Sequence, residues 1–338
     1  PDTSGFPVIP VYKWPDAILE GPAGGYPTEI KAIYNCGSNH LNQGSDIRKN
    51  IRAFEKVEFV VTQDLFITPT ARYSDIVLPV ATFLEREDVT LPADNFLFYS
   101  AKAIDPLPDT KTDYDIFCNL SERLGFGEAY SEGRTAEDWL DAFVEASVIE
   151  DVNKFKETGI FSGDNHMRVG LSDFISDPEN HPLETPSGKI EIRSAAYAQT
   201  GFSPIPECRI SFPPPEFPLR MVTPHSKYRI NSQNSNLPWI DAFEPKVLII
   251  NRKDGEGRGL RSGDTVRVYN SIGEMRIRVR LTDDIIEGTV CLNQGAWTVM
   301  DENGIEIGGA TNALTSTTPT LPSQGSRTHS VFVQLEKM

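Results

Sequence analysis

The sequence predicts an α/β plus β protein: a partial parallel α/β sheet near the start of the chain and a small closed β-barrel at its C-terminal end. Three observations carry this. Residues 30–79 read strand, polar loop, helix, strand, turn, helix, strand, the order of a parallel sheet with crossovers. "RVYNSIGEMRIRVRL" alternates strictly, with Met275, Ile277, Val279 and Leu281 on one face and Arg276, Arg278 and Arg280 on the other. After Pro218, strand patterns are separated by Gly-Asp and Glu-Gly turns, the punctuation of a small closed barrel.

Residues 1–29 are rich in Pro and Gly and read as irregular. "IKAIYN" is then a short apolar strand that runs into the polar loop "CGSNHLNQGSD". A helix follows in "DIRKNIRAFEK", where Ile47, Ile51 and Phe54 recur at helical spacing. "VEFVV" and "DIVLP" are the next strands, separated by the turn at Gln63-Asp64 and a short helix near "TPTARY". "TDYDIFCNLSERLGF" predicts an amphipathic helix from about Asp113 to Gly125. "TAEDWLDAFVEASV" predicts another, with Thr135 and Asp138 as an N-terminal capping pair. Residues 148–218 are loop-rich. "GLRSGDTVRVYN" and "IIEGTVCLNQGAW" each place a tight turn before a strand. No internal repeat of regular period occurs.

The bulk properties narrow the function. The chain has 338 residues, enough for about two ordinary domains. Its formal net charge is −16, which argues against nucleic acid or anionic lipid as a partner, because both require a basic face. No run of apolar residues is long enough for a transmembrane helix, and no signal peptide is visible. The chain opens at Pro1, without a methionine, so it is expected to be the later part of a longer polypeptide. Cys36, Cys118, Cys208 and Cys291 are widely separated, which excludes a local zinc knuckle or a self-contained iron–sulfur motif and predicts core thiols.

In an open parallel sheet, ligands bind beyond the carboxyl ends of the strands. Two loops there are rich in hydrogen-bonding groups. One holds Asn35, Ser38, Asn39, His40, Asn42 and Gln43; the other holds Gln63, Asp64 and Thr68. Two readings stand side by side. A carboxylate beside an amide can accept from the N1–H and 2-amino edge of a guanine, with Thr68 on a phosphate. Equally, Asp64 can cap the short helix while the Asn and Gln side chains fill turns.

The segments "IKAIYNCGSNHLNQGSD", "VVTQDLFITPTARYSDIVLPVATFLEREDV" and "KTDYDIFCNLSERLGF" resemble the molybdopterin oxidoreductases of the dimethyl sulfoxide reductase superfamily. "TPSGKIEI", "LRMVTPHSKYRINS", "GLRSGDTVRVYNSIGEMRIRV", "IIEGTVCLNQGAW" and "GGATNALTSTTPT" are similar, in the same order, to that family's C-terminal cofactor-binding domain. The tail from Gly308 is most similar to anaerobic dimethyl sulfoxide reductases. The resemblance covers nearly the whole chain from about residue 28.

What the resemblance implies is specific. It implies a partial Rossmann-like molybdopterin oxidoreductase domain over residues 1–128, a helical and loop-rich connector over 129–209, and a double-psi β-barrel over 210–338. It implies molybdenum, or tungsten, held by two molybdopterin guanine dinucleotides. Gln63 and Asp64 match the guanine-contacting pair, with Thr68 beside them. Arg86 matches a polar or basic cofactor contact, and Asp113 a second carboxylate that reaches the base. Asn39 and Asn42 lie in the loop that approaches the cofactor. Thr223, His225, Ser226, Arg229 and Ser232 belong to the loop that wraps a pterin, offering donors to pyrophosphate and pterin atoms. Asn312 matches a cofactor contact, and His329 falls where relatives carry a basic residue.

Against that pattern, Arg276, Arg278 and Arg280 read as a solvated strand face, Trp297 as core or cofactor packing, and His40 and His166 as exposed loop residues. The metal ligand and four-cysteine iron–sulfur motif of the family are expected upstream of this chain, so no catalytic or metal-ligating residue is assigned in it. The implied activity is oxygen-atom and two-electron transfer on an S-oxide or N-oxide by the complete subunit. The implied partners are the N-terminal remainder, an iron–sulfur electron-transfer subunit and a membrane anchor, at the periplasmic or extracytoplasmic face of the membrane. The competing expectations are a non-catalytic module of the same fold that has lost the cofactor, and a relative acting on another small substrate. A dinucleotide dehydrogenase is disfavoured, because no G-x-G-x-x-G follows a strand.

Overall fold

The structure, a computed structural model, describes residues 5, 7–93, 95–164, 167, 169–205, 207–208, 210–321 and 323–338. The chain forms two compact units, Pro1–Leu78 with Ser211–Met338, and Pro79–Ile210. The units are drawn differently from the three sequence segments. Leu41, Ile47, Phe54 and Val60 of the early α/β segment share one core with the barrel's interior, so these two stretches group together.

The α/β segment of the first unit begins with α1 (Trp14–Glu20), whose first turn carries Pro15, where the missing N–H costs nothing. Residues 1–29 are therefore not irregular throughout. Ala17 and Ile18 are buried, and the Trp14 ring meets Phe54 edge-on at 5.3 Å. β1 (Ala32–Cys36) pairs in parallel with β2 (Phe59–Asp64), in register Ala32 with Phe59 through Cys36 with Gln63. β2 is buried continuously from Val60 to Gln63, as a strand covered on both faces should be. β3 (Ile76–Pro79) completes the order β1–β2–β3. Between β1 and β2 lie α2 (His40–Gln43) and α3 (Ile47–Lys56). The Asp46 side chain caps α3 by accepting from Lys49 N–H at 3.1 Å, and Ile47, Ala53 and Phe54 form its buried face.

The second unit carries a hairpin unread in the sequence, β4 (Asp88–Ala93) with β5 (Phe96–Ser100), extended antiparallel by β6 (Ile160–Ser162). α4 (Asp113–Arg123) starts where Thr112 caps Asp115 N–H at 3.1 Å. α5 (Gly127–Ser131) follows, then α6 (Ala136–Glu145), which opens with the predicted Thr135–Asp138 capping box. α7 (Val152–Thr158), α8 (Ser172–Ser176) and α9 (Ala195–Gln199) punctuate the loop-rich stretch. Val144, Ile149 and Phe155 form this unit's small core against Val89, Leu97 and Tyr99.

The first unit resumes with a closed six-stranded barrel of order β10–β8–β11–β7–β12–β9. Its strands are β7 (Leu219–Val222), β8 (Val247–Asn251), β9 (Thr265–Tyr269), β10 (Glu274–Thr282), β11 (Thr289–Cys291) and β12 (Val331–Lys337). Two pairs are parallel, β10 with β8 and β11 with β7; the others are antiparallel. The helices α10 (Pro238–Phe243) and α11 (Arg252–Glu256) sit in the connections flanking β8. Met275, Ile277 and Val279 fill the interior with Leu219, Met221, Val268 and Val333. Burying each such side chain contributes roughly 1.5–3 kcal/mol relative to exposure. On the opposite face of β10, Arg278 and Arg280 are exposed as expected, while Arg276 forms an ion pair with Asp301.

The cysteines differ from the core thiols expected. Cys36 and Cys208 are exposed, and Cys118 and Cys291 are half-buried; none of the four is in a disulfide among the described residues. Cys36 ends β1 with its side chain off the core, accepting from Gln63 Nε2 at 3.7 Å. His40 is not an exposed loop residue but a half-buried one opening α2, and burial pushes its imidazole below the usual value. His166 lies outside the described residues.

Candidate cofactor-binding cleft

A cleft of about 370 Å³ opens in the first unit between α2 and three barrel loops. Asn42 and Gln43 form one wall. Asn231 and Ser232, from the loop after β7, form a second. Gln294–Ala296, after β11, and Ala310–Asn312, before β12, complete it. Every lining side chain is an amide, a hydroxyl, a methyl or hydrogen. Among the described residues no charged group lines the space, so that lining supplies hydrogen-bond donors and acceptors in fixed places but no general acid or base.

The walls are held to one another by side-chain amides. Asn42 is 5% exposed; its Oδ1 accepts from Thr298 N–H at 2.6 Å and its Nδ2 donates to the Ala296 carbonyl at 3.1 Å. Asn312 Nδ2 donates to the carbonyls of Asn42 (2.9 Å) and Gln43 (3.0 Å), while its Oδ1 accepts from Thr315 Oγ1 at 2.9 Å. Trp297 donates its ring N–H to the Ser232 carbonyl at 2.7 Å, which fixes the second wall. Gly295 has φ +100°, and a Cβ there would lie 2.0 Å from the Asn231 carbonyl oxygen. Only glycine lets these two loops approach so closely.

The loop after β7 is organised around Arg229. Its side chain is 3% exposed and donates to Asp241 Oδ1 at 2.6 Å, Glu244 Oε2 at 3.0 Å and the Glu244 carbonyl at 3.1 Å. Ser226 also bonds Glu244 and accepts from Arg229 N–H at 2.8 Å, and Asn293 Nδ2 reaches the same carboxylate at 2.5 Å. His225 is exposed, with its Nδ1 2.9 Å from Gln294 Nε2. Thr223 is buried; its N–H donates to His329 Nδ1 at 3.3 Å and its hydroxyl to the Thr328 carbonyl at 2.9 Å.

Of the residues singled out in the sequence, Asn42, Ser232 and Asn312 line one cleft, and His225 contacts the lining residue Gln294. Asn39, buried, accepts from Thr70 Oγ1 at 2.9 Å through Oδ1, while its Nδ2 has no hydrogen-bond partner among the described residues. Gln63 is fully buried at the end of β2 and bonds Tyr34 and Cys36. Asp64 accepts from Leu65 N–H at 2.7 Å and Thr68 Oγ1 at 3.2 Å, the local capping geometry. Arg86 and Asp113 belong to the second unit. Arg86 pairs with Asp88 at 2.9 Å, and Asp113 opens α4. The buried polar groups named in the sequence mostly have partners within the protein, so they do not by themselves demand a ligand.

The neutral lining and the glycine that lets two loops touch fit a heterocycle with alternating donors and acceptors better than a bare anion. Two family models match the chain. Molybdopterin oxidoreductase matches residues 13–123, and the molydopterin dinucleotide binding domain matches residues 219–332. The chain carries both of these family domains. All four walls of the cleft fall within the two matched segments.

Among relatives, dimethyl sulfoxide reductase DmsA of Haemophilus influenzae is 33% identical over 98% of this chain and 46% of its own length. The Escherichia coli DmsA is 31% identical with the same coverage, and a dimethyl sulfoxide/trimethylamine N-oxide reductase of Cereibacter sphaeroides is 32% identical over 87% of this chain and 40% of its own. The chain spans about half the length of the curated relatives it matches. Among solved structures, acetylene hydratase from Pelobacter acetylenicus superposes with a TM-score of 0.77 at 21% identity, over 96% of this chain and 46% of that one, which establishes the shared fold. Among the described residues of this chain, no helix is long and apolar enough to cross a membrane.

The sequence did not single out six cleft residues, Asn231, Gln294, Gly295, Ala296, Ala310 and Thr311, or the buried carboxylate of Glu306. Glu306 is fully buried and accepts from three backbone N–H groups, although burial still raises its pKa overall. The Gly of the "NQG" triplet at 293–295 was the available signal, because an isolated Gly in a strand pattern suggests a bulge or a close backbone approach.

Proposed function

We propose that this chain is the cofactor-holding, C-terminal portion of a molybdenum bis(molybdopterin guanine dinucleotide) oxidoreductase whose complete subunit acts on an S-oxide or N-oxide. The observation that carries the reading is the cleft itself: an uncharged, amide-lined space at the junction of the two family-matched segments. The finer fold reading goes with it. The parallel β1–β2 pair supports a partial Rossmann-like sheet, and the two parallel pairs in the barrel support a double-psi arrangement.

On this reading Asn231, Gln294 and Thr311 present donors and acceptors to the pterin edge, and the Gly295 backbone allows close approach. Asn42 and Asn312 hold the walls at fixed separation, so the ligand meets a preorganised surface. Arg229, engaged by Asp241 and Glu244, stiffens the loop that carries Ser232. When bound, the cofactor supplies the two-electron and oxygen-atom chemistry; the protein contributes orientation and the exclusion of stray proton donors. The guanine form of the nucleotide, an iron–sulfur cluster in the N-terminal remainder, an electron-transfer partner subunit with a membrane anchor, and an extracytoplasmic location complete the proposal.

The test is cofactor analysis of the full-length protein purified from molybdenum-replete anaerobic cells. Molybdenum together with released guanine nucleotide is expected, with S-oxide or N-oxide reduction by a reduced dye. Folded full-length protein containing neither metal nor pterin would refute the reading.

A further inference from the structure

Glu306 belongs to no function assigned so far. It is fully buried, and no cation is paired with it among the described residues. Its Oε1 accepts from Val299 N–H at 3.2 Å and Gly308 N–H at 2.7 Å, and its Oε2 accepts from Gly309 N–H at 2.9 Å. Its own backbone is fixed from outside by Arg276 N–H, which donates to the Glu306 carbonyl at 2.8 Å. The site is built for this contact: a Cβ on Gly308 would lie 2.3 Å from the Trp297 carbonyl oxygen and 3.0 Å from Glu306 Oε1. The chain therefore turns tightly around the carboxylate and emerges directly as Ala310, Thr311 and Asn312, a wall of the cleft.

A buried anion held only by backbone N–H groups is a costly way to stabilise a fold, since apolar packing would serve. It is an effective way to fix a loop's path, because the anion satisfies several donors that converge on one point. We infer that Glu306 is the positioning residue of the cofactor cleft, its carboxylate setting the path of residues 307–312 so that Thr311 meets the bound pterin while Asn312 reaches the Asn42 and Gln43 carbonyls. The inference rests on the cofactor reading above for what the loop meets, and on the hydrogen bonds alone for what holds it.

The experiment uses the full-length protein with Glu306→Gln, and Glu302→Gln, an exposed neighbour, as control. The glutamine has the same shape but presents an NH2 group to a backbone N–H on one side. Hydrogen exchange should rise about tenfold or more in residues 307–312 while the barrel strands β8 and β10 keep their wild-type protection. Molybdenum and pterin content per folded molecule should fall severalfold in the same preparation, with the control unchanged. Gly308→Ala, which displaces the same turn with Glu306 intact, should reproduce both effects.

Wild-type exchange in the loop of both variants, or an opened loop with full cofactor content, would overturn the inference. So would uniform loss of protection across the barrel in Glu306→Gln, which would assign the carboxylate to the fold as a whole. Wild-type protein without molybdenum or pterin would remove the cofactor reading while leaving the exchange comparison interpretable.

Discussion

Asn312 Nδ2 donates to the main-chain carbonyl of Asn42 at 2.9 Å, across 270 residues of sequence. Asn42 in turn clasps Thr298 and Ala296 with both ends of its own amide. The α/β segment and the barrel are therefore joined at the cleft by amide pairs, where a salt bridge would have charged the lining. Replacing Asn42 by Ala leaves the Thr298 N–H and the Ala296 carbonyl buried without partners. The expected cost is about 2–4 kcal/mol, since each orphaned group costs ~1–3 kcal/mol. Urea denaturation of the full-length protein measures it, and a loss below about 0.5 kcal/mol would show the clasp to be incidental.

Arg229 is nearly inaccessible, while its partners Glu244 and Asp241 are 16% and 46% exposed at the side chain. Arg229→Met should destabilise by roughly 3 kcal/mol, because the half-buried Glu244 is left with only neutral donors. Adding Glu244→Gln should recover much of that loss. A double-mutant cycle with no coupling would show that Arg229 is held by packing and not by its carboxylates.

Gly295→Ala tests the close approach of two cleft walls. The added Cβ would fall 2.0 Å from the Asn231 carbonyl, at a φ that alanine adopts only with strain. Parting the loops should cost ~1–3 kcal/mol and lower cofactor content. Retention of full cofactor content with wild-type melting would mean that the loops separate without consequence.

Asp16 gives a pH-dependent prediction. Burial raises its carboxyl, but hydrogen bonds from Lys13 and Lys49 outweigh burial and hold it below its ordinary value of 3.8. The lysine pair therefore contributes stability that is complete above 3.8 and is lost as pH falls through the lower folded value. Asp16→Asn should be less stable than wild type near neutrality, and the gap should close as the pH drops below 3.8. Acid titration of the two melting curves checks this; a gap independent of pH would assign the effect to packing.

The α/β order, the β10 alternation and the Thr135–Asp138 cap were legible because each is a local pattern. β8 and β12 were not read as strands. Their segments, "VLIIN" and "VFVQLEK", are too short or too mixed to separate from a buried loop without the barrel partners that pair them. The same holds at the cleft. The sequence marked Asn42, Ser232 and Asn312, yet not that two of them join walls, because that depends on contacts more than 250 residues apart. Glu306 was invisible for a different reason. Nothing in "DENGIEIGGA" separates a buried carboxylate from its exposed neighbour Glu302 until the turn at Gly308 is seen to fold over it.

The most direct measurement of the central claim is a density map of the full-length protein with its native cofactor. The account predicts a pterin in the cleft, within hydrogen-bond distance of Asn231, Gln294 or Thr311, with the Asn42–Asn312 bond intact beside it. A well-ordered cofactor bound elsewhere, with this cleft holding only solvent, would contradict it.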